Sequence, residues 1–187
     1  MFQTRHAICV HAATTGGSAV IVSSEMLINT VNDNDEITGV IERSRVFAHH
    51  ATFRVVHLFL FNHNNELLLQ QLSPQRERHP AAWGSSVAGY VLAGETYEQA
   101  ATRRVQQELG VTCDLHHFGK TTMIDEGCKK FITLFLATCE GPFSYDHDHI
   151  AALESLRVDR IRQLHDTRAR VFTPTFLHVL DFYDHRT

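Results

Sequence analysis

Cysteine is scarce in this chain of 187 residues: Cys9, Cys113, Cys128 and Cys139 stand apart, and no Cys-x-x-Cys pair occurs. That scatter points to neither a zinc site nor a disulfide framework. Free thiols in a reducing compartment are the expected state. Long apolar runs are missing too, and none approaches the roughly 20 residues that span a bilayer. No solid apolar core follows Arg5, so no secretory signal is expected and the cytoplasm is the expected location. Excess positive charge is also absent. The formal net charge of -4 argues against a nucleic-acid backbone as the partner. There is no internal repeat and no low-complexity linker. What remains is a soluble globular chain, 43% hydrophobic and 20% charged, long enough for one domain with a sizeable core.

Histidine is abundant, with fourteen residues, but most are dispersed and read as surface or half-buried side chains. Asp146-His147-Asp148-His149 is the one cluster with metal-like chemistry, and a flexible acidic loop accounts for it equally well.

The hydrophobic pattern changes period along the chain. Residues 1–24 show no clear period and read as an irregular extension, with an edge strand at Ala19–Val22. Met26–Val31 and Glu36–Ile41 read as a hairpin around Asn32-Asp33-Asn34-Asp35. Phe53–Phe61 and Glu66–Leu72 read as paired strands, and Ser73–Pro80 as a surface loop. Trp83–Val91 reads as one strand whose small residues mark close backbone approach. Strands follow at about Leu115–Ile124, Lys130–Cys139 and Glu154–Val158. Helices are expected at Tyr97–Leu109, Val158–His165 and Thr175–Tyr183, with Pro174 suited to a helix start. Thr96 and Gln99 form a capping box, and Gly110 is a natural stop. This order gives an α+β fold or an α/β/α sandwich built on a mixed sheet.

The first helix carries the chemistry. At about 100° per residue, Tyr97, Ala100, Ala101, Val105 and Leu109 fall on one arc that should face the core. Arg104 and Glu108 fall inside that arc, and Gln107 at its edge. Charges among core-facing residues must be paired, hydrated or metal-bound. An Arg104–Glu108 ion pair at i,i+4 is the purely structural account.

Gly89, Glu95, Arg103, Val105, Glu108, Gly110 and Val111 stand in the register of the Nudix box, which this segment resembles. Two positions depart from it: Arg104 replaces the Glu after the Arg, and Gln107 replaces the first Glu of the pair. Asn32–Glu36 with Gly39, Phe53–Phe61, Glu66–Gln71 and Phe172-Thr173-Pro174 resemble a Nudix subgroup that is also similar to isopentenyl-diphosphate isomerase. The resemblance covers about residues 26–184. It implies a Nudix-type α/β/α sandwich over residues 25–187, behind the 1–24 extension, which is a candidate homodimer element.

The resemblance also implies hydrolysis of a phosphoanhydride in a nucleoside diphosphate linked to a second moiety, with Mg²⁺ or Mn²⁺. Such an ion offsets phosphate charge and activates water, and it prefers oxygen ligands. Carried over position by position, Glu108 is the metal ligand and catalytic carboxylate. Gln107 offers an amide oxygen, and Gly89 its backbone. Glu95 shapes the loop and belongs to the catalytic set. Arg104 cannot bind a cation and joins the catalytic set as a group suited to a phosphate. From the residues alone, Arg103, Arg76, Arg78 and Tyr90 are candidates to meet substrate; the alternative is a solvated loop for Arg76 and Arg78 and core packing for Tyr90. Asp125 and Glu126 are candidates for a replacement base, or else a solvated turn before Gly127. The alternative is a non-catalytic Nudix module that binds a phosphorylated ligand. Isomerisation is disfavoured: no Cys follows Trp83, and Tyr90 and Phe53 stand where that enzyme's histidines would fall.

Overall fold

The computed structural model describes residues 26–187; the expected extension and its edge strand at Ala19–Val22 lie outside the described residues. Leu27–Val31 (β1) and Ile37–Glu42 (β2) form the expected antiparallel hairpin. The central strand is Phe53–Phe61 (β3). Along its whole length it pairs in parallel with Cys128–Thr138 (β8), from Phe53 opposite Lys130 to Phe61 opposite Thr138. His116–Asp125 (β7) runs antiparallel on the far side of β8. Leu67–Leu72 (β4) pairs antiparallel with Ile150–Leu156 (β9). The sheet is thus mixed, as expected.

Alternation along β3 divides the core in two. Val56, Leu58 and Leu60 face the helix Tyr97–Leu109 (α1), which contributes Ala100, Ala101, Val105 and Leu109. Val55 and Phe59 face the other way. They meet Val158–Asp166 (α2) through Ile161, and Pro174–Asp184 (α3) through Phe176, Val179 and Leu180. Helices therefore cover both faces of one sheet. α1 begins and ends at the expected residues. Thr96 Oγ1 accepts from Gln99 N, the Gln99 side chain returns the bond, and Gly110 takes the left-handed conformation at φ 68°. Among the described residues, no helix is long and apolar enough to cross a membrane.

The sheet forks between β3 and β4. Those two strands share one bridge, Phe61 opposite Leu67, and then diverge. The expected single strand Trp83–Val91 is in fact two. Trp83–Gly84 (β5) pairs with β4, and Val87–Tyr90 (β6) pairs with β3. The chain crosses the fork at Ser85–Ser86, so it cannot stay in register with both partners. The fully buried Ser86 hydroxyl closes the gap by donating to Leu68 O (2.6 Å) and accepting from Leu60 N (2.8 Å). A side chain does here what a strand's backbone does elsewhere. The last strand also differs from expectation: β9 begins at Ile150 rather than Glu154, because β4 offers it partners as far as Leu72.

Removing the Ser86 hydroxyl leaves a buried N–H and a buried C=O without that partner. Ser86→Ala is expected to destabilise the fold by about 1–3 kcal/mol, read as a lowered urea midpoint. An unchanged midpoint would show that the two strands hold together without it.

Candidate active site

A cavity of about 640 Å³ opens at the fork. Arg104, Gln107 and Glu108 of α1 form one wall with Gly89 of β6. His57, Ser85, Lys130 and Thr175 line the cavity too, as do Arg43, Arg76 and Arg78. The helix is placed by a staple just outside the cavity. Arg103 Nε and Nη2 donate to the two oxygens of Glu95 at 2.5 and 2.8 Å, and Nη2 also donates to Tyr90 O at 3.1 Å. Glu95 in turn accepts from Leu92 N at 2.9 Å. Glu95 and Arg103, expected respectively in the catalytic set and at the substrate, do not line the cavity. They fasten the 90–95 loop to α1.

Arg104 and Glu108 form the ion pair that their spacing allows. Arg104 also lies flat along β6, donating from Nε and Nη2 to Ala88 O at 3.2 and 3.0 Å. Gly89 makes room for it: a Cβ there would sit 2.6 Å from Arg104 Cδ and 2.9 Å from Cγ. The second Glu108 oxygen accepts from Gln70 Nε2 at 2.7 Å. Gln70 is only 4% exposed and also donates to Ser86 O at 2.6 Å, which ties Glu108 to the fork itself. Both carboxylate oxygens are therefore engaged.

The other expected metal donors are engaged as well. Gln107 Oε1 accepts from Arg103 Nη1 at 3.0 Å, and Gly89 pairs with Val56 in the sheet. Among the described residues no group of three or more His, Cys, Asp or Glu is arranged to hold a metal ion. The expected donors are one carboxylate shared with a guanidinium and two amides, a set that does not fit a resident divalent ion, and Glu77, Asp125 and Asp146, which also line the cavity, are not grouped to hold one.

The cavity lining carries five cations (Arg43, Arg76, Arg78, Arg104, Lys130) and four carboxylates (Glu77, Glu108, Asp125, Asp146), and the cations crowd around Arg104. Burial, then the neighbouring Arg103, Arg76 and Arg43 cations, pull the Arg104 guanidinium down to about 10. It stays charged at neutral pH, crowded by like charge. Among the described residues neither Arg43 nor Arg76 has a carboxylate partner. Arg78 is committed elsewhere, to Asp125 at 3.0 Å, to Glu126 at 3.1 Å, and over the Phe47 ring at 4.1 Å. Tyr90 stacks on Phe53 with centroids 5.4 Å apart, so its ring is already half covered.

The solvated-turn reading of Asp125 is corrected. Its side chain is 11% exposed, held by Arg78 and by Lys130 Nζ at 2.6 Å, whereas Glu126 is 59% exposed. Burial alone would raise the Asp125 carboxyl, but the Lys130 and Arg78 cations outweigh it and hold it below the ordinary range. In the acidic loop, His149 Nδ1 and Asp146 Oδ2 bond to each other at 2.7 Å on the cavity rim.

Several site residues escaped the sequence reading. Gln70, His57 and Lys130 are polar side chains set in apolar strands, and that mismatch was the available signal. Lys130 Nζ bonds Thr175 Oγ1 at 2.6 Å, and His57 Nδ1 bonds Ser85 Oγ at 2.8 Å. Burial first, then the charges of Lys130 and His178, push the His57 imidazole down to about 3, so the ring is neutral.

Known proteins bear on this arrangement. A family model described as NUDIX domain matches residues 51–176. A Listeria monocytogenes protein described as an uncharacterized Nudix hydrolase is 41% identical over 86 residues, covering 46% of this chain and 51% of its own length. The match thus spans about half of that relative. An isopentenyl-diphosphate Delta-isomerase of Pectobacterium atrosepticum is 25% identical over 162 residues, with 82% of this chain and 90% of that one covered. A Deinococcus radiodurans crystal structure superposes with a TM-score of 0.74 at 22% identity, covering 83% of this chain and 97% of that one.

The buried His57 sets a pH dependence. Its folded value of about 3 lies below the ordinary 6.5. Between the two, the unfolded chain takes up a proton that the folded protein refuses, so stability falls as pH drops through that window. The full slope for one such group is about 1.4 kcal/mol per pH unit. His57→Gln is expected to flatten the fall between pH 6.5 and 4 in urea titrations. An equal slope in the variant would mean that His57 is not the neutral group described.

Proposed function

The chain belongs to the Nudix family, and on that premise we propose that it is a slow hydrolase of a phosphoanhydride in a nucleoside diphosphate linked to a second moiety. The observation that carries this reading is the position of Arg104. It lies along β6 over Gly89, at a box position that brings a cation rather than a carboxylate to the cavity, with Arg43 and Arg76 nearby. Guanidinium groups suit phosphate oxygens in number and geometry. They bind the diphosphate, while the pairing of Arg104 with Glu108 withholds that carboxylate from water, so Arg104 favours binding at the expense of turnover. Glu108 is the carboxylate left to orient water, and its pairing with Arg104 and Gln70 limits the rate.

The ligand is a small phosphorylated molecule rather than nucleic acid. A specific observation favours a second reading, a binding module without turnover: both Glu108 oxygens are already engaged. Isomerase chemistry that needs a cavity thiol finds none, since no cysteine among the described residues lines the cavity.

With so few free oxygen donors, Mg²⁺ and Mn²⁺ should bind the free protein weakly, because ligand charge governs affinity for hard cations. Calorimetry should give little heat at low-millimolar metal. Tight micromolar binding would contradict the donor set described above.

The two box departures account for the slow rate in this reading. Arg104→Glu with Gln107→Glu adds two carboxylates and frees Glu108 from its cation. Hydrolysis across a panel of nucleoside diphosphates and nucleoside diphosphate sugars should rise roughly 10²–10⁴-fold, and Glu108→Gln in that background should abolish the gain. If the native protein turns over briskly and the double variant slows it, Arg104 is itself the productive group. If no variant hydrolyses any nucleotide, the binding module is the better reading.

A further inference from the structure

Two thiols lie together at the end of α1, away from the cavity lining. Cys113 follows the Gly110 cap by three residues, and Cys139 directly follows β8. β7 and β8 run antiparallel with His117 opposite Phe135 and His116 opposite Leu136. The ladder itself stops at His116; its register, continued three steps beyond the paired residues, sets Cys113 against Cys139, and the two thiols are in hydrogen-bond contact. The intermediate pair, Leu115 and Ala137, packs on the α1-side core, and so do both cysteines, which places all four side chains on one face. Residues directly opposite in an antiparallel pair have Cα atoms about 4.5–5.5 Å apart, inside the roughly 4.4–6.8 Å that a disulfide spans. Both thiols are free and half-buried. Cys128 is different: it is fully buried at the opposite end of β8, with its Sγ toward Val46 O.

We propose that Cys113 and Cys139 are a reversible dithiol that peroxide oxidises to an intramolecular disulfide. Burial and a hydrogen bond with Cys139 push the Cys113 thiol up to about 12, so it stays protonated. In this proposal Cys139 is the sulfur that attacks the peroxide oxygen. The O–O bond breaks, Cys139 becomes a sulfenic acid, and water leaves. The Cys113 sulfur next attacks the sulfenic sulfur, the S–O bond breaks, and a second water leaves with the thiol proton. Two thiols and one hydrogen peroxide thus give one disulfide and two waters, and an external dithiol reverses the bond by exchange. The bridge ties the segment after α1 to the end of β8. It therefore fixes the helix end that carries Gln107 and Glu108, where Ser144 N already donates to Leu109 O at 3.0 Å.

The test uses the full chain. Reduced protein is treated with hydrogen peroxide at neutral pH, denatured, alkylated and mapped by peptide mass spectrometry. The expected product is lighter by two hydrogens, with the Cys113 and Cys139 peptides joined and Cys9 and Cys128 alkylated. Dithiothreitol should restore both thiols. The oxidised form should unfold at higher urea than the reduced form, and Cys113→Ser and Cys139→Ser should each lose both the link and the shift. Recovery of both cysteines as free or over-oxidised thiols would overturn the proposal. So would a link from either one to Cys9, to Cys128 or to a second molecule. None of these outcomes depends on the hydrolase reading.

Discussion

The bond on which this structure depends is the one across the fork. Where β3 and β4 part, the Ser86 hydroxyl joins Leu60 N to Leu68 O, and the chain passes from one strand to the other beneath it. A sheet that stayed closed would have no cavity, and one that opened without this bond would leave backbone groups unsatisfied in the core. Gln70 extends the same network from Ser86 O to Glu108, so the carboxylate on α1 is held by the strand that opens the fork. The cavity and the position of its principal carboxylate follow from one local solution to a backbone problem.

Charge is organised around that opening in two ways. On the α1 side, carboxylates are consumed by arginines: Glu95 by Arg103 to hold a loop, and Glu108 by Arg104 to line a wall. On the α3 side, Asp125 balances Lys130 and Arg78, so those cations are largely compensated. The surplus lies with Arg43 and Arg76 near the Arg104 guanidinium, whose lowered affinity for its proton reflects burial among like charges. An anion entering there relieves repulsion already present in the folded state, whereas a cation adds to it.

The two-sided core explains why remote residues set this geometry. Alternation on β3 sends Val56 and Leu58 to α1, and Val55 and Phe59 to α3. His57 falls within the same alternation on the α3 side, beside Lys130 in the cavity wall. It is neutral because burial there leaves no room for another charge. α1, with its capping box and left-handed Gly110, is fixed at both ends by local bonds, and that rigidity carries Arg104 and Glu108 to the fork.

The sequence by itself determined the elements whose causes are local. α1 from Tyr97 to Leu109, β3 from Phe53 to Phe61, the Asn32–Asp35 turn and the α3 start at Pro174 all follow from period, capping and turn chemistry within a few residues. The register of the box, with Arg104 and Gln107 in place of carboxylates, was equally plain, as was the i,i+4 geometry that pairs Arg104 with Glu108. Only the tertiary structure decided the rest. The break at Ser85–Ser86 depends on two strands distant in sequence. The early start of β9 depends on the length of β4. The burial of Asp125 depends on Arg78, 47 residues away, and the hold on Glu108 depends on Gln70, 38 residues away. A pattern along the chain reports what neighbours do to one another. It carries no term for a partner brought in by folding, and here such partners determine which charges remain available to a ligand.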